Sequence, residues 1–345
     1  MTLRALGFER STRAWALGAV ALLVAAVASM ISGPAGLNVG AVISEVLDRF
    51  PLVDLTSGLT PQQQTIVWEL RIPRMVLAAL VGAMLSLAGA SYQGVFRNPL
   101  ADPYLLGVAA GAGLGATVAI SWQVGGAGSA IIPVAAFVGA VVGVVVTYLL
   151  GRTLGDRTAT TLILAGVAMA SFLTALQTYV QQRNVDTIRE VYSWILGRLA
   201  TTGWREVVLV LPYVAVAVVV VLLHRRLLDV LSVGDEEAAG LGVPVARVRL
   251  LVVAGATLGT AAAVAVSGLI GFVGIIVPHT VRLLVGSSYR KVLPLSLLFG
   301  ASFMVATDLA ARTIVSPAEL PIGVVTAFFG APFFIAVLRT SRRSL

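Results

Sequence analysis

The side chains able to do chemistry in this chain are few and far apart. Its histidines are His224 and His279, and it has no cysteine. A lone histidine is more often a satisfied structural residue than a ligand, so no metal site is expected at either. The missing thiols exclude cysteine catalysis, cysteine metal sites and disulfides. No H-E-x-x-H pair, nucleophile–base constellation or G-x-x-x-x-G-K-[ST] phosphate loop occurs, so neither catalytic residues nor an ATPase centre is expected. Asp308 is the acidic group that would matter to a proton- or ion-driven carrier. It falls inside an apolar stretch, where an unpaired carboxylate costs roughly 3 kcal/mol or more. Arg312 follows at i+4 on the same helical face, and no second acidic residue lies in any apolar stretch. An internal ion pair is therefore expected, not a relay. Arg71 and Arg74, three apart, also share a face, with Pro73 suited to a first helical turn. Gln93 and Gln177 are the polar groups placed to line a path, although bonding to backbone carbonyls is the commoner fate of such amides.

The elements that hold these groups are membrane helices. Of 345 residues 58% are apolar and 12% charged, with a mean hydropathy of +0.96. That is half the charged fraction, about 25%, of a soluble domain. The fold class is an all-α polytopic membrane protein, one transmembrane domain over 1–345. Ten spans near the roughly 20-residue length of a bilayer core are expected. They are Trp15–Ile31, Pro73–Val95, Tyr104–Trp122, Ala130–Leu150, Ala159–Gln181, Val207–Leu223, Leu250–Val266, Leu269–Val285, Val292–Ala311 and Pro321–Leu338. A cleaved leader is the competing reading of the first, given its basic start. A short surface helix is expected around Val42–Phe50, and 183–205, with Trp194 and Trp204, reads as a segment along the membrane surface. Of the 24 Lys and Arg, fifteen fall on the side that holds both termini and eight on the other, with Arg282 inside a span. The positive-inside rule then gives N-in/C-in topology. The charges are scattered between apolar spans without interleaved aromatics, so nucleic acid is not an expected partner.

Two cytoplasmic stretches break the helical pattern. Arg97-Asn98-Pro99-Leu100-Ala101-Asp102-Pro103 cannot continue a helix, because two prolines remove donors and restrain the residues before them. The loop 224–249 carries Gly234-Asp235-Glu236-Glu237, whose acids suit the positive end of a short helix, with Gly242 and Pro244 to end it. Spans two to five and seven to ten form a weak inverted repeat, each set beginning near paired arginines and meeting a Gly- and Pro-containing break.

Several long motifs, in order, resemble the FecCD family of ABC importer permeases. They are RIPR (71–74), YQG (92–94), RNPLADP (97–103), LGVAAGAGLG (106–115), LILAGVA (162–168), WILGRL (194–199), GLIGFVGIIVPHTVR (268–282) and AELPIGVVTAFFGAPFF (318–334). The resemblance implies the type II importer (BtuC-like) permease fold in a bacterial inner membrane, carrying ferric siderophore, haem or cobalamin. It also implies a second permease copy, an ABC ATPase in two copies that holds ATP and Mg, and a periplasmic or lipid-anchored binding protein; no cofactor is bound by this chain. By the same resemblance Arg71, Arg74 and Arg312 receive acidic residues of the binding protein. The EAA-like segment of Gly234, Glu236, Glu237, Ala238, Gly240, Leu241 and Gly242 enters a cleft on the ATPase. Asn98 and Leu100, with Ala159 and Thr160, form the cytoplasmic gate; the match at Ala159 is chemically poor. The siderophore assignment rests on the 161–199 region. The rival class is an ion-coupled secondary transporter, for which Asp308 is nearly the sole candidate group.

Overall fold

The computed structural model describes residues 3–32, 36–49, 57–125, 131–153, 159–199 and 203–341, and these contain helices and no strand. In chain order the helices are α1 (Leu3–Ile31), α2 (Val39–Asp48), α3 (Pro61–Thr65), α4 (Ile72–Phe96), α5 (Val108–Ser121), α6 (Ile131–Thr153), α7 (Ala159–Arg183), α8 (Ile188–Ile195), α9 (Arg205–Leu223), α10 (Arg225–Leu231), α11 (Asp235–Gly240), α12 (Val245–Ser267), α13 (Val273–Val285), α14 (Tyr289–Thr313) and α15 (Ile322–Ser341). Seven segments are long and apolar enough to cross a membrane; the shorter apolar helices α5, α13 and α15 bring the number to the ten expected.

The centre of the bundle is the antiparallel pair α4 and α14, flanked by α1, α12 and α13. Small residues let their backbones touch, as lipid-embedded helices require. A Cβ on Gly82 would lie 2.2 Å from the Gly300 carbonyl oxygen, and one on Gly89 would lie 2.0 Å from that of Gly274 in α13. Side chains of α4 from Leu77 to Phe96 are accordingly almost all buried, whereas α7 is the least buried of the long spans.

Several expected boundaries move, three of them because of a break in the regular α-helical backbone. The second span does not begin at Pro73: α3, a π-helical turn (Ile66–Arg71) and α4 run on as one helix, with the Ile72 N–H bonded to the Val67 carbonyl. The wider turn accommodates a proline whose ring would clash with an ordinary α-helical carbonyl four residues back. The third span begins at Val108, not Tyr104, because Pro103–Leu106 forms a 3-10 turn closed by Gly107 at φ +84°. The eighth begins at Val273, not Leu269, after an irregular stretch bounded by Gly268 (φ +68°) and Phe272 (φ +67°). At 14 and 13 residues, α5 and α13 extend only about 20 Å and fall short of a hydrocarbon core of about 30 Å. The irregular segments finish each crossing inside protein, where such backbone is tolerated. They meet through Tyr104, whose hydroxyl donates to the Ile270 carbonyl at 3.0 Å and accepts from the Ile270 N–H at 3.1 Å. The expected repeat has this physical counterpart: one half-length helix in each set, entered through a break with a left-handed residue at either end (Arg97 and Gly107, Gly268 and Phe272).

The surface elements also form. Helix α2 is capped by the Asn38 side chain and held by Glu45, which accepts from Trp68 Nε1 at 2.9 Å and Gln64 Nε2 at 3.0 Å. Phe50 and Ala130, ends of two expected elements, lie outside the described residues. Helix α8 occupies the middle of 183–205.

Candidate functional site

At the outer end of α4 the three expected docking arginines converge. Asp308, 1% exposed, accepts from Arg74 Nε at 3.0 Å through one oxygen and from Arg312 Nε at 3.0 Å through the other. The i+4 pair is thus present, and Arg74, 234 residues away in sequence, joins it. With two guanidinium partners this carboxylate is not the free titrating group that an ion-driven carrier needs. Arg74 also grips Glu319 through NH1 and NH2 at 2.9 and 2.8 Å, and that bidentate geometry is among the stronger side-chain pairings. Arg71 is buried and donates to the Met30 carbonyl, and Arg312 donates to the Ser29 hydroxyl at 2.8 Å and to the carbonyls of Ser29 and Ser32. Both cations therefore sit at the C-terminal end of α1, where the helix dipole and unpaired carbonyls favour positive charge. Glu319, 52% exposed, forms the outer rim of the cluster. Its carboxyl is held below the ordinary range chiefly by the Arg74 hydrogen bond, against a smaller desolvation effect.

The expected gate loop leaves α4 through Arg97 at φ +49°. Asn98 folds it: its Oδ1 accepts from the Leu100 N–H at 2.9 Å and its carbonyl from the Ala101 N–H at 3.0 Å, an Asx-type turn. Leu100 stays exposed. Asp102 accepts from the Tyr104 N–H at 2.8 Å and starts the 3-10 turn. Thr160 is exposed in the first turn of α7; the side chain of Ala159 lies outside the described residues.

Gln93, one of the two path candidates, is buried and fully engaged. Its Nε2 donates to the carbonyls of Gly274 (2.9 Å) and Ala101 (3.3 Å), and its Oε1 accepts from Arg282 NH2 at 2.6 Å. It ties the gate loop to α13 at the wall of a cavity of about 230 Å³ that Arg97, Asn98 and Tyr289 also line. Gln177 on α7 lies over Gly113 of α5. These two residues are not brought together by any contact.

The loop 224–249 is helical. α10 is fixed to α14 by Asp229, which accepts from the Tyr289 N–H at 2.5 Å and the Ser288 hydroxyl at 2.9 Å and so caps α14 from outside. α11 then projects as the expected short helix. It opens at Gly234, where φ is +145°, and packs Ala238 inward. Val233 and Leu241 (72% exposed) remain in solvent at its two ends. Asp235 pairs with Arg249 at 2.9 Å and with Arg97 at 3.5 Å. Sequence reading missed this carboxylate as a link, as it missed Glu319 and Asp229: each partner is remote in the chain, and only the adjacency of AELPIG to the Arg312 stretch hinted at one. Among the described residues no group of three or more His, Asp or Glu is placed to hold a metal.

An arginine–carboxylate cluster thus lies at one end of the bundle, a projecting short helix at the other, and two half-length helices between them. The model of the FecCD transport family matches residues 6–340. The chain belongs to that family. It is 41% identical to an ABC transporter permease of Bacillus subtilis (YvrB) over 82% of this chain and 81% of that protein. It is 42% identical to the cobalamin import permease BtuC of Halobacterium salinarum over 83% and 76%. It is 36% identical to the Fe(3+)-citrate import permease YfmD of B. subtilis over 89% and 90%. A solved metal-chelate type ABC transporter in an inward-facing conformation superposes with a TM-score of 0.80 at 31% identity, covering 94% of this chain and 97% of that one. This FecCD member is a multi-pass membrane permease of the ABC class, in a family whose permeases work with ATPase and substrate-binding partners.

Proposed function

We propose that this chain, as a pair of identical copies, forms the conduit through which a bacterial cytoplasmic membrane imports a metal chelate, ferric siderophore foremost, with cobalamin or haem as the alternative cargo. A binding protein delivers the cargo to the Arg71, Arg74 and Arg312 face. Two ATPase copies, which carry the ATP and Mg, receive α11; this chain binds no cofactor. The observation that carries the reading is the wiring of Asp235. The helix offered to the ATPase is joined by one carboxylate to Arg97, where the gate loop leaves α4, and to Arg249, in the first turns of α12. A pull on α11 therefore reaches the loop of Asn98 and Leu100 without passing through the buried core, which is the connection alternating access needs. The exposed Leu241 and the acidic first turn of α11 fit a helix-in-groove contact. The lightly buried α7 supports a second copy across a two-fold axis. For cargo the support is the relatives' own substrates, iron citrate and cobalamin.

The test is reconstitution in vesicles with the cognate ATPase and binding protein. ATP-dependent uptake of a labelled ferric siderophore, absent when either partner is withheld, is expected. Uptake of cobalamin or haem in its place would move the cargo assignment. Concentrative uptake by the purified chain alone, driven by an ion gradient, would overturn the whole reading.

A further inference from the structure

We propose that the cavity between the cytoplasmic ends of α6, α7 and α12 is a binding site for one anionic phospholipid of the inner leaflet. The cavity holds about 240 Å³. Leu106, Tyr148, Leu162 and Val253 give it apolar walls, and Arg247 and Arg249 line the same space. Leu250, 45% exposed, stands beside them. An apolar slot joined to two guanidinium groups matches an acyl chain below a phosphate headgroup. The charge count puts these residues on the cytoplasmic side, and basic pockets between spans on that side select anionic headgroups.

Two further observations favour an anion there. Arg247 has no ion-pair partner among the described residues, and the buried Nε of Arg249 has no hydrogen-bond acceptor. The charge on Arg249 is met only through NH2, by Asp235, so a buried donor is left for a ligand to satisfy. The position also gives the lipid a consequence. Its phosphate and the carboxylate of α11 would draw on one guanidinium, which puts the composition of the inner leaflet one side chain away from the coupling helix. The inference does not depend on which cargo is carried.

The experiment is native mass spectrometry of the full chain released from nanodiscs of phosphatidylglycerol mixed with phosphatidylcholine. Free glycerol phosphate serves as a separate probe, and Arg247→Gln and Leu250→Trp as variants. Both substitutions fall on exposed positions, and thermal melting reports whether each variant is folded. One retained phosphatidylglycerol per chain is expected, preferred roughly tenfold or more over phosphatidylcholine. Folded Arg247→Gln should lose the preference, and folded Leu250→Trp should lose retention of either lipid. Equal retention of the two lipids, or a preference unchanged in folded Arg247→Gln, would refute the site. Glycerol phosphate binding as tightly as the lipid would refute the lipid and leave an anion site. If both variants fail to fold, the wild-type preference and the glycerol phosphate arm decide alone.

Discussion

Helix α4 starts in one Arg–Asp–Arg triad and ends in another, and the two are built to opposite specifications. At the outer face Arg74 and Arg312 enclose Asp308, 1% exposed, with contacts of 2.9–3.0 Å. At the cytoplasmic face Arg97 and Arg249 share Asp235, 41% exposed, at 3.5 and 2.9 Å. Burial makes the first triad hard to open, because parting it would strand a charge away from water. In the second, Asp235 and Arg97, 46% exposed, make a contact that is cheap to open, because water and salt replace what those two lose. The proposed function would use this asymmetry: a docking face that keeps its shape while cargo is handed over, and a linkage on the ATPase side that can part and re-form in every cycle.

The comparison is most exposed to failure at Asp308. Asp308→Ala leaves the largely buried Arg312 without a carboxylate and Arg74 with Glu319 alone, and should cost up to about 3–5 kcal/mol, the range for breaking a buried pair from one side. Thermal unfolding of the purified permease should show this as a large fall in Tm, whereas Arg97→Gln, which breaks a pair exposed on both sides, should cost no more than about 1 kcal/mol. Equal losses at the two sites would mean that the outer and inner triads do not differ as their burial implies.

Glycines sharpen the same contrast. A side chain at Gly89 meets the Gly274 backbone at 2.0 Å, so Gly89→Val should cost about 1–3 kcal/mol or more through forced separation of α4 and α13. At Gly240 on α11 a Cβ meets nothing within 4 Å, so Gly240→Trp should melt like the parent. If α11 seats in an ATPase cleft, the same variant should lose transport per ATP hydrolysed when the ATPase is present. A Gly240→Trp protein that melts normally and transports normally would remove α11 from the coupling path.

Much of this was readable from the chain alone, and the exceptions share a cause. Hydropathy located the spans, since each span answers to a solvent boundary that composition reports directly. The Asp308–Arg312 pair was legible because i+4 is a local relation. Arg74–Asp308, Arg74–Glu319 and Asp235–Arg97 were not, because helix packing, and nothing in the neighbouring sequence, brings those residues together. The starts of α5 and α13 were misplaced for a different reason. Apolar residues continue straight through both breaks, and Phe272 adopts a left-handed backbone with no glycine to announce it. The carbonyl bonding of Gln93 was anticipated as the commoner fate of such an amide, but its partners, Ala101 and Gly274, could be named only once the backbone around it was known.

The smallest effect expected concerns the rim of the outer cluster, where rigidity gives way to exposure. Glu319 holds two of the Arg74 nitrogens that an acidic residue of a binding protein would need, so it competes with docking. Glu319→Gln should speed capture of the binding protein by less than about tenfold, with a steeper salt dependence, since a rim charge acts mainly on association rate. Acid should not imitate the substitution. A carboxyl held low in the folded state keeps its charge until pH falls through the lowered value, whereas the acidic residues of a binding protein, at ordinary pKa, are neutralised first. Between pH 7 and about 5 capture by the parent should then be flat in pH, and below the ordinary carboxylate range near 4.5 it should slow. Surface plasmon resonance of the two proteins across that range measures both arms. Slower capture by Glu319→Gln at neutral pH would instead make Glu319 part of the docking surface, fixed in place by Arg74.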